Sequence, residues 1–283
     1  MCSTGSGGKR LKDEPEKVME RAQANARVEE RFRFDETIDF FAIRDHILPS
    51  TCRHADDIVC QVCKFNELEL PQLPEMIFPN NKLVLKLAGS EDYLIEFNAY
   101  DALKQVDAKT LPDVEVGPSA VWKEARKAHI DAANKSQPFD WTFTSNYAGT
   151  IGPNVKMEET SMTIDIEKLK RRDPIHFYSQ LTLYEDELAD HGCAHMAVRL
   201  RVMPTAFFVL CRFYLRVDNV FVRTCDTRLF GELDSNFILR EWTKREALYS
   251  DLDQNDRDNV HDENLIWQSL PIIDNKSWKI FLE

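Results

Sequence analysis

The densest group of ionisable side chains is Glu185, Asp186, Glu187, Asp190, His191 and His195. Clustered carboxylates do acid–base work when burial pushes their pKa values apart, and they also bind a hard cation. The chemistry they suggest is a metal-dependent hydrolase built on Glu185 to His195; the bland alternative is a solvated strand end and turn closed by Gly192. A second set, Cys52, His54, Cys60 and Cys63, has the ligand types of a zinc site. Structural zinc takes four tetrahedral ligands, usually as short-spaced pairs, and here one C-x-x-C lies alone on an expected helix. The cysteines read as reduced, helix-packing thiols, with no metal and no other cofactor expected. The third set is Arg199, Arg201, Arg212, Arg216, Arg223 and Arg228. Aligned on one sheet face they would bind an anion or an acidic peptide. Long basic side chains also routinely cover sheet surfaces beside acids, and that is the reading adopted here. No nucleophile stands beside a base, so no catalytic residue is assigned.

The elements that must carry these side chains centre on residues 195–230. Val198, Leu200 and Val202 alternate with Arg199 and Arg201, and Phe207, Val209, Cys211, Phe213, Leu215 and Val217 share one face after Pro204. That period of two marks half-buried strands. Asp218-Asn219 separates two apolar segments and tolerates φ > 0, which predicts a tight hairpin with a return strand from Val220 to Arg223. Upstream, strands are expected over 36–48, 83–87, 93–97, 139–147 and 176–184, with helices over 55–66, 119–132 and 164–172. Asp101 is placed to cap a short helix. Residues 236–249 begin as strand. Residues 251–263 hold six acids against one Arg and read as a solvated linker, and the apolar tail after it is expected to dock on the core. Residues 1–33 read as an N-terminal extension, disordered or weakly helical, and 34–283 as a single domain. Hairpin-linked strands outnumbering helices give an α+β fold with antiparallel sheets.

Composition narrows the function further. The chain has 283 residues, nine glycines and a formal net charge of −12. So few glycines argue against a Gly-rich phosphate loop, and no dinucleotide-binding, phosphate-loop, nucleophile-elbow or H-E-x-x-H motif occurs. The acidic balance argues against nucleic-acid partners. The sequence holds no apolar run of about 18 residues, so no membrane span is expected. Seven cysteines without a visible secretory signal point to reduced thiols in the cytoplasm.

Ordered blocks carry a resemblance: LPEMIFPNN (73–81), IEFNAYDAL (95–103), FDWTFTSNYAGT (139–150), IDIEKLKRRDPIHFY (164–178), LYEDELADHG (183–192), the run 198–230, LREWTKRE (239–246) and LPIIDNKSW in the tail. The chain resembles the TOR signalling pathway regulator-like (TIP-forty-one-like) family over roughly residues 35–280. That resemblance implies two packed, mostly antiparallel sheets flanked by a few helices. It implies a non-enzymatic protein, acting as a monomer, that binds the catalytic subunits of type 2A protein phosphatases (types 2A, 4 and 6) and restrains them in nutrient signalling. It carries partner-binding roles onto Asp101, Ile164, Asp226 and Trp242, where the family often has Tyr at the last position.

Overall fold

The computed structural model describes residue 28 and residues 31–39, 61–70, 73–106, 143–188 and 191–282. Twelve strands among them form two antiparallel sheets. The smaller has the order β1-β3-β4-β5, made of Phe32–Thr37, Lys82–Leu87, Tyr93–Asn98 and Thr150–Ile151. The larger runs β2-β7-β8-β9-β10-β11-β12-β6. Its strands are Met76–Ile77, Phe177–Asp186, Gly192–Val202, Ala206–Val217, Phe221–Glu232, Phe237–Leu248, Ile272–Phe281 and Met157–Glu159. Five short helices, α1 (Gln61–Asn66), α2 (Ala99–Lys104), α3 (Ile166–Lys170), α4 (Gln254–Asp258) and α5 (Glu263–Ser269), complete an α+β fold.

The strand alternation read from the sequence sets the core. Val209, Cys211, Phe213 and Leu215 of β9 lie on one face with Val198 and Leu200 of β8 and Cys225 and Leu229 of β10. Leu83, Leu85, Ile95 and Phe97 of the smaller sheet belong to the same buried cluster, so this inner face is where the two sheets meet. Phe207 marks one junction. Its ring stands edge-on to Phe32 and Phe34 of β1, with centroids 4.9 and 5.1 Å away. A Cβ on Gly231 would lie 2.2 Å from that ring, which explains glycine opposite Phe207 in the register.

Several expectations are corrected. The first described strand is Phe32–Thr37, starting ahead of the 36–48 expected, of which 40–48 lie outside the described residues; Phe32 and Val28 are buried in the common core. The segment 143–149 is no strand beyond a bridge from Ser145 to Val106, because Phe143 adopts φ 47° and the Ser145 hydroxyl accepts from the Tyr147 amide in a local turn. Asn98, not Asp101, caps α2, its side chain accepting from the Asp101 amide. Residues 251–263 are no solvated linker. Leu252 and Val260 are buried against Tyr214, Val222, Ile266 and Leu270, and Asp253 and Asp262 serve as helix caps. The hairpin at Asp218-Asn219 forms, with Asn219 at φ 59°, but its return strand runs on to Glu232. The tail docks as β12, paired along β11. The helix expected over 119–132 lies outside the described residues.

Candidate functional site

The larger sheet has an outer face opposite the common core, and β10 writes its chemistry. Val222, Thr224, Asp226, Arg228 and Phe230 alternate away from the core. One end of this stripe is covered by α4, α5 and their loops, and the other by Ile164 with Met203, Ala206 and Leu239. Between these two apolar patches lies a network of charges. Asp226 accepts two bonds from Arg212, from Nε at 2.7 Å and Nη2 at 2.8 Å, and a third from Arg228 at 3.1 Å. Its side chain is fully enclosed. Arg212 lies beside Asp226 and Glu263, which hold its pKa up against the pull of burial.

Helix α5 is fastened to the same face. Asp262 caps it by accepting from the Asn264 and Leu265 amides. Glu263 accepts from Arg199 and meets His195 Nε2 at 2.9 Å, while Arg212 reaches the Glu263 carbonyl and the Asn264 side chain. Burial disfavours the charge on His195, but hydrogen bonds with Cys193 and Glu263 outweigh it and raise its pKa to about 9. Burial would likewise raise Glu263, yet His195 and Arg199 bring it down to about 2. Three guanidinium groups, those of Arg228, Arg245 and Arg212, stand 4.2, 4.3 and 5.8 Å from the Trp267 ring.

The inner face has its own polar region. Trp242 lies opposite Thr227, and Arg240 opposite Leu229, so both point toward the common core. Neither Trp242 Nε1 nor Arg240 Nε meets an acceptor among the described residues. Burial without a carboxylate lowers Arg240 to about 10. Tyr147 stands nearby. Its hydroxyl donates to the Glu96 carbonyl and accepts from the Asn98 amide, and burial raises its pKa, with Cys211 and Asp101 adding to the rise. Asp101 is half-buried at the start of α2, where its carboxylate accepts from Asn98 Nδ2 at 2.9 Å and from the Thr150 hydroxyl.

The four residues singled out in the sequence therefore divide. Asp101 and Trp242 belong to the side between the sheets, and Ile164 and Asp226 to the outer face. Ile164 donates its amide to Glu241 and lines a groove with Met162, Lys168, Phe237 and Leu239. Among the described residues the acidic cluster does not converge. Asp186 is buried and accepts from the Glu75 and Leu188 amides, His195 turns to Glu263, and Asp190 lies outside the described residues. Among the described residues no group of three His, Cys, Asp or Glu is placed to hold a metal. Of the cysteine set only Cys63 is described, half-buried on α1. The arginines partly align: Arg199, Arg201, Arg212, Arg216 and Arg228 share the outer face, while Arg223 turns inward to Glu246 and Thr144. Glu263, Arg245 and Trp267 escaped the sequence reading, because their meeting depends on α5 folding over a sheet distant in sequence.

Comparison with known proteins follows the same span. A family model described as the TIP41-like family matches residues 76–253. A TIP41-like protein of Caenorhabditis elegans is 46% identical over 266 residues, covering 92% of this chain and 92% of that protein. A human TIP41-like protein is 41% identical over 210 residues, covering 73% and 76% of the two chains. A Saccharomyces cerevisiae protein named type 2A phosphatase activator TIP41 is 34% identical over 225 residues, covering 71% of this chain and 63% of that one.

Proposed function

The chain belongs to the TIP41-like family, and on that premise we propose that it is a regulatory binding partner of type 2A protein phosphatases. The observation that carries this reading is the yeast relative named for type 2A phosphatases, aligned over most of this chain. The finer reading is that it grips the catalytic subunits of types 2A, 4 and 6 as a monomer in the cytoplasm, within nutrient signalling, and restrains their turnover without catalysing a reaction of its own.

The geometry supports a division of labour. In this reading Asp101, half-buried on α2, meets the partner directly, while Ile164, itself buried, shapes the floor of a groove that the partner would enter. Asp226, closed in by two arginines, holds β9 and β10 in place rather than contacting a partner. Trp242 is buried on the inner face with no acceptor for its indole N–H among the described residues, so a partner would have to open that face to bond it.

The test is co-purification of this chain with purified type 2A catalytic subunit, followed by phosphatase assay of the complex. A stable complex with lowered turnover is the expected result. Absence of a complex overturns the binding reading. A complex with raised turnover keeps the binding and reverses the direction, in line with the word activator in the yeast relative's name.

A further inference from the structure

We propose that Arg228, Arg245 and Trp267 form a binding site for a phosphate-type oxyanion on the outer face of the larger sheet. The inference is independent of the phosphatase reading. It starts from an imbalance. Three guanidinium groups surround the Trp267 ring, and Asp226 is bonded to two of them, Arg212 and Arg228. Arg212 closes a two-pronged pair with Asp226, which leaves Arg228 with a single bond to it and Arg245 with none. Glu241 faces Arg228 across the strands and brings a second negative charge to it, while its hydrogen bond goes to the amide of Ile164; three guanidiniums therefore meet two carboxylates.

The donors are in excess as well as the charge. Arg245 Nη1 donates to the Leu270 carbonyl, while Arg245 Nε and Trp267 Nε1 are buried without an acceptor among the described residues. Buried donors are nearly always satisfied, and an orphan one calls for an ion, a water or a ligand. Burial and the neighbouring charges of Arg228 and Arg212 lower the pKa of Arg245, as expected where like charges crowd. An oxyanion relieves both imbalances at once. Guanidinium forks match phosphate oxygens in geometry and charge, and a ring stacked beside them keeps the forks planar and in place. The site is not sealed: Arg228 keeps 14% of its side chain exposed, and Arg245 and Trp267 are half-buried. In a chain with a formal charge of −12, such a cationic spot is local rather than a general basic surface.

The experiment titrates inorganic phosphate, and separately O-phosphoserine, into the full chain at ionic strength held constant with chloride. Heat of binding and tryptophan fluorescence are read together. Saturable binding is expected, with a fluorescence change that disappears in Trp267→Phe while a weaker binding heat remains. Arg228→Gln and Arg245→Lys each weaken binding at least tenfold, with melting in phosphate-free buffer checked for both; Arg245→Lys retains the cation at that position. Tighter binding of O-phosphoserine identifies a phosphorylated side chain as the source, and equal binding identifies the free ion. The proposal fails if no saturable binding exceeds the chloride control in the unsubstituted chain, or if both arginine variants bind as it does.

Discussion

Asp226 and Trp242 sit on neighbouring strands, one register step apart, and face opposite sides of the larger sheet. Asp226 stands opposite Thr243 and Arg212 on the outer face, and Trp242 opposite Thr227 on the face of the common core. A partner lying on one face touches only one of them. The other acts through the strands it holds, and the two roles separate under mutation.

For Asp226 the expected effect is on folding. Its side chain is fully enclosed and carries three charge-assisted bonds from Arg212 and Arg228. Removing one partner of a buried ion pair leaves a charge uncompensated and costs about 3–5 kcal/mol. Asp226→Leu is therefore expected to lower the melting temperature and phosphatase binding together. The double variant Arg212→Met/Asp226→Leu removes both charges, and denaturant titration is expected to recover most of the lost stability. Full stability in the single variant would show that the pair contributes nothing to the fold.

Phe213 tests the core itself. It is fully buried at the centre of β9, within reach of Tyr184 and among residues of both sheets. Truncating a buried Phe removes its transfer energy and leaves a cavity, about 3–5 kcal/mol in all. Phe213→Ala is expected to lower the unfolding free energy by that much, read as a lower urea midpoint at unchanged slope. A loss under ~1 kcal/mol would place this face outside the core.

The docking of α5 gives a pH dependence whose sign follows from two groups. His195 is raised to about 9 from its ordinary 6.5, so its pairing with Glu263 stabilises fully below that ordinary value and is lost as pH rises through the folded one. Glu263 is depressed to about 2 from 4.5, so its contribution is present above the ordinary value and is lost as pH falls through the folded one. The groups facing His195 are Cys193, Tyr214 and Glu263, with Arg199 sharing the carboxylate. Melting of the parent chain and of His195→Gln is expected to differ most near pH 6 and to converge toward pH 10 as the imidazolium deprotonates. A gap that widens with pH would reverse the assignment.

The legible part of the fold was the part written in short-range pattern. Alternation through Val209, Cys211, Phe213 and Leu215 gave the inner face, and Asp218-Asn219 gave the hairpin. The return strand looked short because Thr224, Asp226 and Arg228 interrupt its apolar pattern. Thr224 and Asp226 are buried and Arg228 half-buried on the outer face, Asp226 against Arg212 of β9 and Arg228 against Trp267 of α5, which no local window contains. The acidic stretch before α5 read as solvent-facing for the same reason, since Leu252 and Val260 are spaced too sparsely to show periodicity but pack against Val222. Of the candidate site, the residues were visible and their division between two faces was not. Side-chain direction follows from register, and register here is set by pairings along the whole of β10 and β11.

Trp242 offers the sharpest test of the partner surface. Its indole N–H is buried and meets no acceptor among the described residues, although the ring itself is packed. An unsatisfied buried donor costs about 1–3 kcal/mol, so its loss offsets part of the packing lost with the smaller ring. Trp242→Phe is therefore expected to melt within a few degrees of the parent chain. If the indole N–H is completed by an acceptor on the phosphatase, the same change is expected to weaken binding about tenfold, or ~1.4 kcal/mol. Asp101→Asn, on the same side of the sheet, keeps the side chain's size and leaves an oxygen to accept from Thr150 or Asn98. It is expected to weaken binding with little change in melting if its charge meets the partner. Calorimetry with the purified catalytic subunit, run beside thermal melting for both variants, decides the matter. Unchanged binding in both would move the interface to the outer face, where Ile164→Asp becomes the variant to measure.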